Sequence, residues 1–335
     1  MTGSPPQEGA AEPFVHEGLD GWLFLQGGTN YVTSLYSRDS GNVSDAKIAE
    51  WKRLIENRSA RSNALGIACA HIIVPDKLTV YGDRQSTPLV DIDLAPSFRL
   101  AEEMRLSSAT QAYIDLVAPM RTARHATDLY WKTDTHWTPE GCLLAYTLLC
   151  ERLGLVQEPD LLERPCRSYQ AQMDLGWRVQ PPRWEKVRKY NYIQKSERNW
   201  VNSVTAFLED PYYKEEFHTY ARARFVNASA RNNCSALIFG DSYSRPSPDA
   251  LTGMLAETMR SVEFIWSSSV DWTLVNRMRP DILIVQTAER FLARLPNDRR
   301  SLRLAEARQY LRATLRTLQR SWRDRATKSK EGTVK

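Results

Sequence analysis

ALIFGDSYS, residues 236–244, sets the reading of the whole chain. Residues 236–239 form a short apolar run suited to a buried strand, and Gly240 permits a sharp turn. Ser242 then emerges just past the strand end, where a nucleophile can stand clear of the sheet, and a helix is expected after Pro248. Further apolar strands are expected at 262–266 and 282–285, separated by stretches that can hold helices. That βαβαβ order implies a parallel sheet flanked by helices, with ligands at the carboxyl ends of its strands.

The same logic extends upstream. Residues 71–74, stopped by Pro75, read as another buried strand, and 44–64 as a helix with Ile48, Trp51, Leu54 and Ile55 at helical spacing. Asp20-Gly21 is a turn pair that opens a β-hairpin. Thr138-Pro139 supplies an N-cap and an N1 proline for a helix that Gly154 stops. Residues 1–13 read as a mobile leader and 14–300 as the main α/β domain. Within it, residues 155–230 follow no clean period and are rich in aromatics, ten of them between Trp177 and Tyr220, so they read as an insertion. Those rings are either a platform on which sugars stack or the core of a small subdomain. Residues 301–326 read as a basic amphipathic helix and 327–335 as a tail.

With 335 residues, 42% hydrophobic and 25% charged, the chain has the composition of a soluble globular protein. No run approaches a membrane span, and no basic segment followed by an apolar core opens the chain. Five cysteines without a CxxC pair predict reduced thiols and, with the missing signal, a cytosolic location. The five histidines have no metal-ligand spacing, so no metal is expected. Fourteen of the 45 Lys and Arg lie after residue 289, against four Asp or Glu, and the remainder of the chain is slightly acidic. Basic character confined to one tail excludes nucleic acid as a partner. Nucleotide binding by a GxGxxG or GxxxxGK[ST] cradle is excluded as well, since neither occurs.

YWKTDTHWTPEG, residues 130–141, carries the second half of a possible chemistry. Asp134 and His136 are two apart, so in an extended segment both side chains point to one face and the carboxylate orients the imidazole. Taken alone, DxH also fits a cap or a surface pair, and GDS also fits an ordinary turn. Together they are the parts of an acyl-transfer triad: Ser242 as nucleophile, His136 as base, Asp134 as orienter. Gly240, Asp241, Lys132, Trp137 and Arg245 flank these residues and are candidates for oxyanion or substrate binding.

GDSYS after a strand resembles the first block of SGNH hydrolases. KTDTHW with the opening GLDGWLFL resembles the SGNH-like domain of the alginate O-acetyltransferases AlgX and AlgJ. VPDKLTVYGD (74–83), YIDLVAPM (113–120) and RPDILIVQTAERFL (279–292) extend the likeness over about residues 18–292. The resemblance implies a flavodoxin-like parallel sheet and transfer of acetyl groups to hydroxyls of an exopolysaccharide through an acetyl-serine, with the same three residues in the roles above. It also implies a periplasmic location, the alternative to the cytosol. No bound cofactor is expected, but an acetyl donor is required, either acetyl-coenzyme A or a partner acyltransferase. Two other activities fit the same residues: a carbohydrate acetylesterase, and an inactive glycan-binding scaffold in a polysaccharide synthesis complex. Leu304, Leu311, Leu315, Leu318 and Trp322 are expected to form the stripe by which the C-terminal helix covers the body, its arginines facing solvent. The alternative is docking to an anionic membrane surface or a membrane-bound acyltransferase.

Overall fold

The apolar run that includes residue 236 lies near the middle of a seven-stranded sheet. The computed structural model describes residues 14–27, 31–38, 42–210, 218–299 and 301–331, with side chains to residue 316. In chain order the strands are β1 Val15–Glu17, β2 Leu23–Leu25, β3 Ala68–Val74, β4 Tyr113–Ile114, β5 Cys166–Ala171, β6 Glu185–Tyr190, β7 Glu197–Val201, β8 Arg222–Val226, β9 Asn232–Gly240, β10 Met259–Trp266 and β11 Ile282–Ala288. The large sheet has the order β4-β3-β11-β9-β10-β8-β7. Its first five strands run parallel, and β8 and β7 add an antiparallel edge.

Burial explains why the parallel strands read as unbroken apolar runs: both faces are covered, so no position needs to be polar. All of β11 and all but the first residue of β3 are buried. The helix Asp45–Ala64 puts Ile48, Trp51 and Ile55 into this core, and Ser44 caps it by accepting the Lys47 amide. The helix Pro139–Leu153 starts under the Thr138 cap and ends at Gly154, whose φ of +65° is the left-handed stop expected of glycine. At the other end, β1 and β2 pair antiparallel across the Asp20-Gly21 turn.

Two expectations change. The stretch 155–230 is not wholly an insertion. Its first part makes the separate β5/β6 hairpin, but β7 and β8 join the main sheet. The edge strand β7 is largely exposed and carries charges such as Arg198, and its neighbour β8 carries Arg222 and Arg224, which hid their period. Tyr190, Tyr192 and Phe207 are core residues, whereas Tyr169, Trp177, Trp184 and Trp200 are exposed, so each reading of the aromatics holds for part of them. Tyr212, Tyr213 and Phe217 lie outside the described residues, as do the leader and the last four residues.

The C-terminal helix, Leu302–Glu331, runs beyond the expected end at 326 and faces the other way. Leu302 and Ala313 are buried and Glu306 approaches Arg222 at 4.0 Å, while Leu304, Leu311 and Leu315 point outward at 65%, 59% and 50% exposure. Periodicity fixes which residues share a face but not which face meets the body. Here Leu302, Glu306 and Ala313 take the inner side.

Candidate active site

Strand β9 ends at Gly240, and the chain turns into a 3-10 segment, Ser242–Ser244, at the carboxyl edge of the parallel sheet. The turn is tight because Gly240 has no side chain: a Cβ there would lie 2.2 Å from Ser244 Oγ and 3.0 Å from Gln286 Oε1. Asp241 is buried beneath it. Its Oδ1 accepts Tyr243 N–H and Gln286 Nε2–H, and its Oδ2 accepts Ala288 N–H at 2.7 Å. Both residues therefore shape the turn from below. Neither lines the cleft that holds Ser242; both border a second cavity with Trp266, Gln286 and Arg290.

Ser242 is left at the surface of a cleft of about 130 Å³. Its Oγ lies 2.8 Å from His136 Nε2, and His136 Nδ1 lies 2.7 Å from Asp134 Oδ1. The segment carrying the pair is a turn and not the extended strand expected, so Asp134 Oδ1 accepts the His136 backbone N–H (2.9 Å) as well as the ring. One carboxylate oxygen thus fixes both the backbone and the imidazole of the same residue. Burial of Asp134 opposes its charge, but the His136 charge and hydrogen bonds, aided by Lys77, hold the carboxyl well below the usual range.

The turn is held from every side by groups that the motif did not reveal. Lys77 is buried, and its Nζ donates to the carbonyls of Trp131, Lys132 and Asp134 at 2.9, 2.9 and 2.7 Å. Burial pushes its pKa down to about 7 against the attraction of Asp134, Asp174 and Glu185. Three carbonyl acceptors require the ammonium form, which alone has three N–H bonds to give. Glu185, at the start of β6, accepts the amides of Lys132 and Thr133, and Asp174 accepts Thr135 N–H at 2.7 Å. Tyr243 donates to the Thr135 carbonyl at 2.6 Å and receives Arg290 at 2.7 Å, while Arg290 also pairs with Asp76 at 3.1 Å. Lys77 lies in VPDKLTVYGD, Tyr243 in GDSYS and Arg290 in TAERFL, segments that carry the family resemblance. Asp174 and Glu185 lie in the patternless region and had no signal.

The other candidates divide. Trp137 and Arg245 line the cleft, Trp137 standing edge-on to Tyr243 at 5.1 Å and Arg245 pairing with Asp249 at 2.7 Å. Lys132 is turned away, its Nζ donating to the Asp20 carbonyl at 3.2 Å. The β5/β6 hairpin, unforeseen as part of the site, supplies Tyr169, Val187, Arg188, Lys189 and Tyr190 to the cleft wall. Cys142 also lines it, but burial pushes the thiol far up, so it is a neutral wall and not a second nucleophile. Asp134, His136 and Asp174 bring possible metal ligands within 4.8 Å of one another. Asp134 Oδ1 is engaged by His136 and both Asp174 oxygens by Thr135, so a cation on these atoms would have to displace those hydrogen bonds.

A serine just past a parallel strand, joined through histidine to a buried carboxylate on a sheet of this order, defines an SGNH-hydrolase-like protein. More particularly, the chain belongs to the family described as SGNH hydrolase-like domain, acetyltransferase AlgX, which matches residues 15–202 and so includes Asp134 and His136. Among solved structures it is similar to the O-acetyltransferase domain of Pseudomonas putida AlgJ, with 17% identity and a TM-score of 0.53 over 85% of this chain and 94% of that one. Bacillus cereus PatB1 gives 14% identity and a TM-score of 0.57, covering 82% and 95%. Pseudomonas aeruginosa AlgX gives 19% and 0.50, covering 84% and 63%. At these identities the likeness is one of fold. No curated protein matches the chain by sequence. No helix among the described residues is long and apolar enough to cross a membrane.

Proposed function

We propose that this chain is a serine-dependent O-acetyltransferase that passes an acetyl group through Ser242 to a hydroxyl of a polysaccharide or glycan precursor. The observation that carries the reading is the unbroken line Ser242–His136–Asp134, with contacts of 2.8 and 2.7 Å, open to the cleft. His136 Nε2 takes the Ser242 proton as Oγ attacks the acetyl carbonyl, and returns it to the departing donor group. Asp134 stays ionised throughout and stabilises the imidazolium. In the second half-reaction His136 takes the proton of a sugar hydroxyl, that oxygen attacks the acetyl-serine, and Ser242 recovers its proton.

The Tyr243 and Ser244 amides are spent on Asp241, which leaves Ser242 N–H as the turn's donor for the oxyanion. The acetyl donor is acetyl-coenzyme A or the acetylated form of a membrane-bound acyltransferase. Family membership favours the second donor and the periplasmic alternative over the cytosolic one. Exposed Tyr169 on the cleft wall supports a glycan acceptor, since a ring half open to solvent is placed for stacking on a sugar.

The test is to supply a radiolabelled aryl acetate, trap acetyl-Ser242 by mass spectrometry, and follow the label with and without oligosaccharide. Label appearing on sugar supports transfer, label only in free acetate supports the esterase, and absence of any acetyl-enzyme would leave the scaffold reading.

A further inference from the structure

The C-terminal helix presents to solvent the face that sequence periodicity would have buried. Leu304, Leu311 and Leu315 form an outward ridge, and the sequence repeats the spacing at Leu318 and Trp322. The inner side is fixed separately: Leu302 and Ala313 are buried, and Tyr310 meets Phe207 edge-on at 5.9 Å. The ridge is therefore not waiting to fold back onto the body, which already holds the opposite face.

Charge is sorted around this ridge. Between residues 302 and 316 the only acid is Glu306, which lies toward Arg222 on the body. Arg308 and Arg312 line a groove along one flank with Thr219 and Tyr220. On the other flank Arg303 shares a groove with Arg277, Arg224 and the exposed ring of Trp200, Arg224 being paired with Glu263 at 2.7 Å. Nearly all the charge flanking the ridge is of one sign, which an anionic surface complements. The apolar element is a single stripe, Leu304 bordering one groove and Leu311 the other, with long cationic side chains on both sides.

We infer that this face of the molecule docks on an anionic phospholipid surface, the leucine ridge entering the headgroup boundary while the flanking arginines meet phosphates. The helix would lie in the plane of the interface, as amphipathic helices with basic flanks do. Each arginine near such a surface adds to an attraction that salt screens. The inference does not depend on the chemistry at Ser242.

The experiment is sedimentation of the full chain with phosphatidylcholine vesicles, with and without about one third phosphatidylglycerol. The expected result is at least tenfold stronger binding to the anionic vesicles at low salt, declining as salt rises. Leu311→Asp with Leu315→Asp should reduce it tenfold or more, and Arg308→Ser with Arg312→Ser should remove most of its dependence on phosphatidylglycerol. All four positions are exposed and outside the cleft, so circular dichroism and hydrolysis of an aryl acetate should be unchanged. Failure to bind anionic vesicles, or equal binding by the leucine variant, would overturn the inference. So would a concentration-dependent dimer that the leucine variant abolishes, because a second copy would then be the occupant.

Discussion

His136 Nε2 lies 2.8 Å from Ser242 Oγ although 106 residues of chain separate them. The contact depends on two rigid supports: the end of β9 fixes the serine, and the clamp of Lys77, Glu185, Asp174 and Tyr243 fixes the turn that carries the histidine.

If the triad acts as a unit, Ser242→Ala, His136→Ala and Asp134→Asn should each lower aryl acetate turnover about a thousandfold or more, and pairing any two should add little. The measure is kcat for single and double variants whose melting curves show them folded. Multiplicative losses in the double variants would mean that the residues act separately.

Lys77→Met removes the donor to three carbonyls in the triad turn. Buried acceptors left without a partner cost about 1–3 kcal/mol each, less where another donor remains, as the Leu23 amide does for Lys132. The turn should loosen, so kcat for an aryl acetate should fall at least tenfold with KM little changed, and Tm should drop. A variant that lost Tm but kept kcat would give Lys77 a role in folding alone.

How much of this could be read beforehand follows from where the determinants lie. Ser242, His136 and Asp134 announced themselves because strand, turn and spacing are local in sequence. Lys77 was visible only within a segment of family likeness, since its partners are backbone carbonyls more than 50 residues away. Asp174 and Glu185 could not be read at all: an acid that accepts amides looks in sequence like any surface acid. The leucine ridge was legible as a stripe, yet its direction depended on β7, β8 and Phe207, whose places in the fold had no periodic signature.

Gly240→Ala tests the serine's support. The added Cβ would meet Ser244 Oγ, Gln286 Oε1 and Phe264, so the turn must shift. Overpacking of this kind costs about 1–3 kcal/mol. Activity should fall by more than tenfold, because the shift moves Ser242 relative to His136. Near-normal activity would show that the turn accommodates the methyl by moving Ser244 alone.

The cleft wall should separate small from large substrates. Tyr169→Ala, at a position 47% exposed and on the cleft, should weaken glycan binding by about 0.5–1.5 kcal/mol beyond lost contact area while aryl acetate hydrolysis persists. Trp200→Ala, on the edge strand β7 and outside that cleft, should leave both unchanged. Titration of oligosaccharide by calorimetry distinguishes them, and equal losses in the two variants would move the glycan path away from the hairpin.

The last prediction concerns acid. The Asp134 carboxyl is buried, which by itself would raise its pKa, but the His136 charge, the two His136 hydrogen bonds and Lys77 lower it overall. A carboxyl whose folded value lies below its unfolded value contributes stability above the unfolded value, about 3.9 for Asp, and loses it as pH falls through the folded one. Asp134→Asn has no such charge to lose. The wild type should therefore melt higher than Asp134→Asn near neutral pH, and the gap should narrow once the pH falls below about 4. Paired melting curves from neutral pH into that acid range provide the check. A gap that stayed constant throughout would mean that Asp134 contributes shape and hydrogen bonds but not charge, and the stabilisation of protonated His136 would have to come from another group.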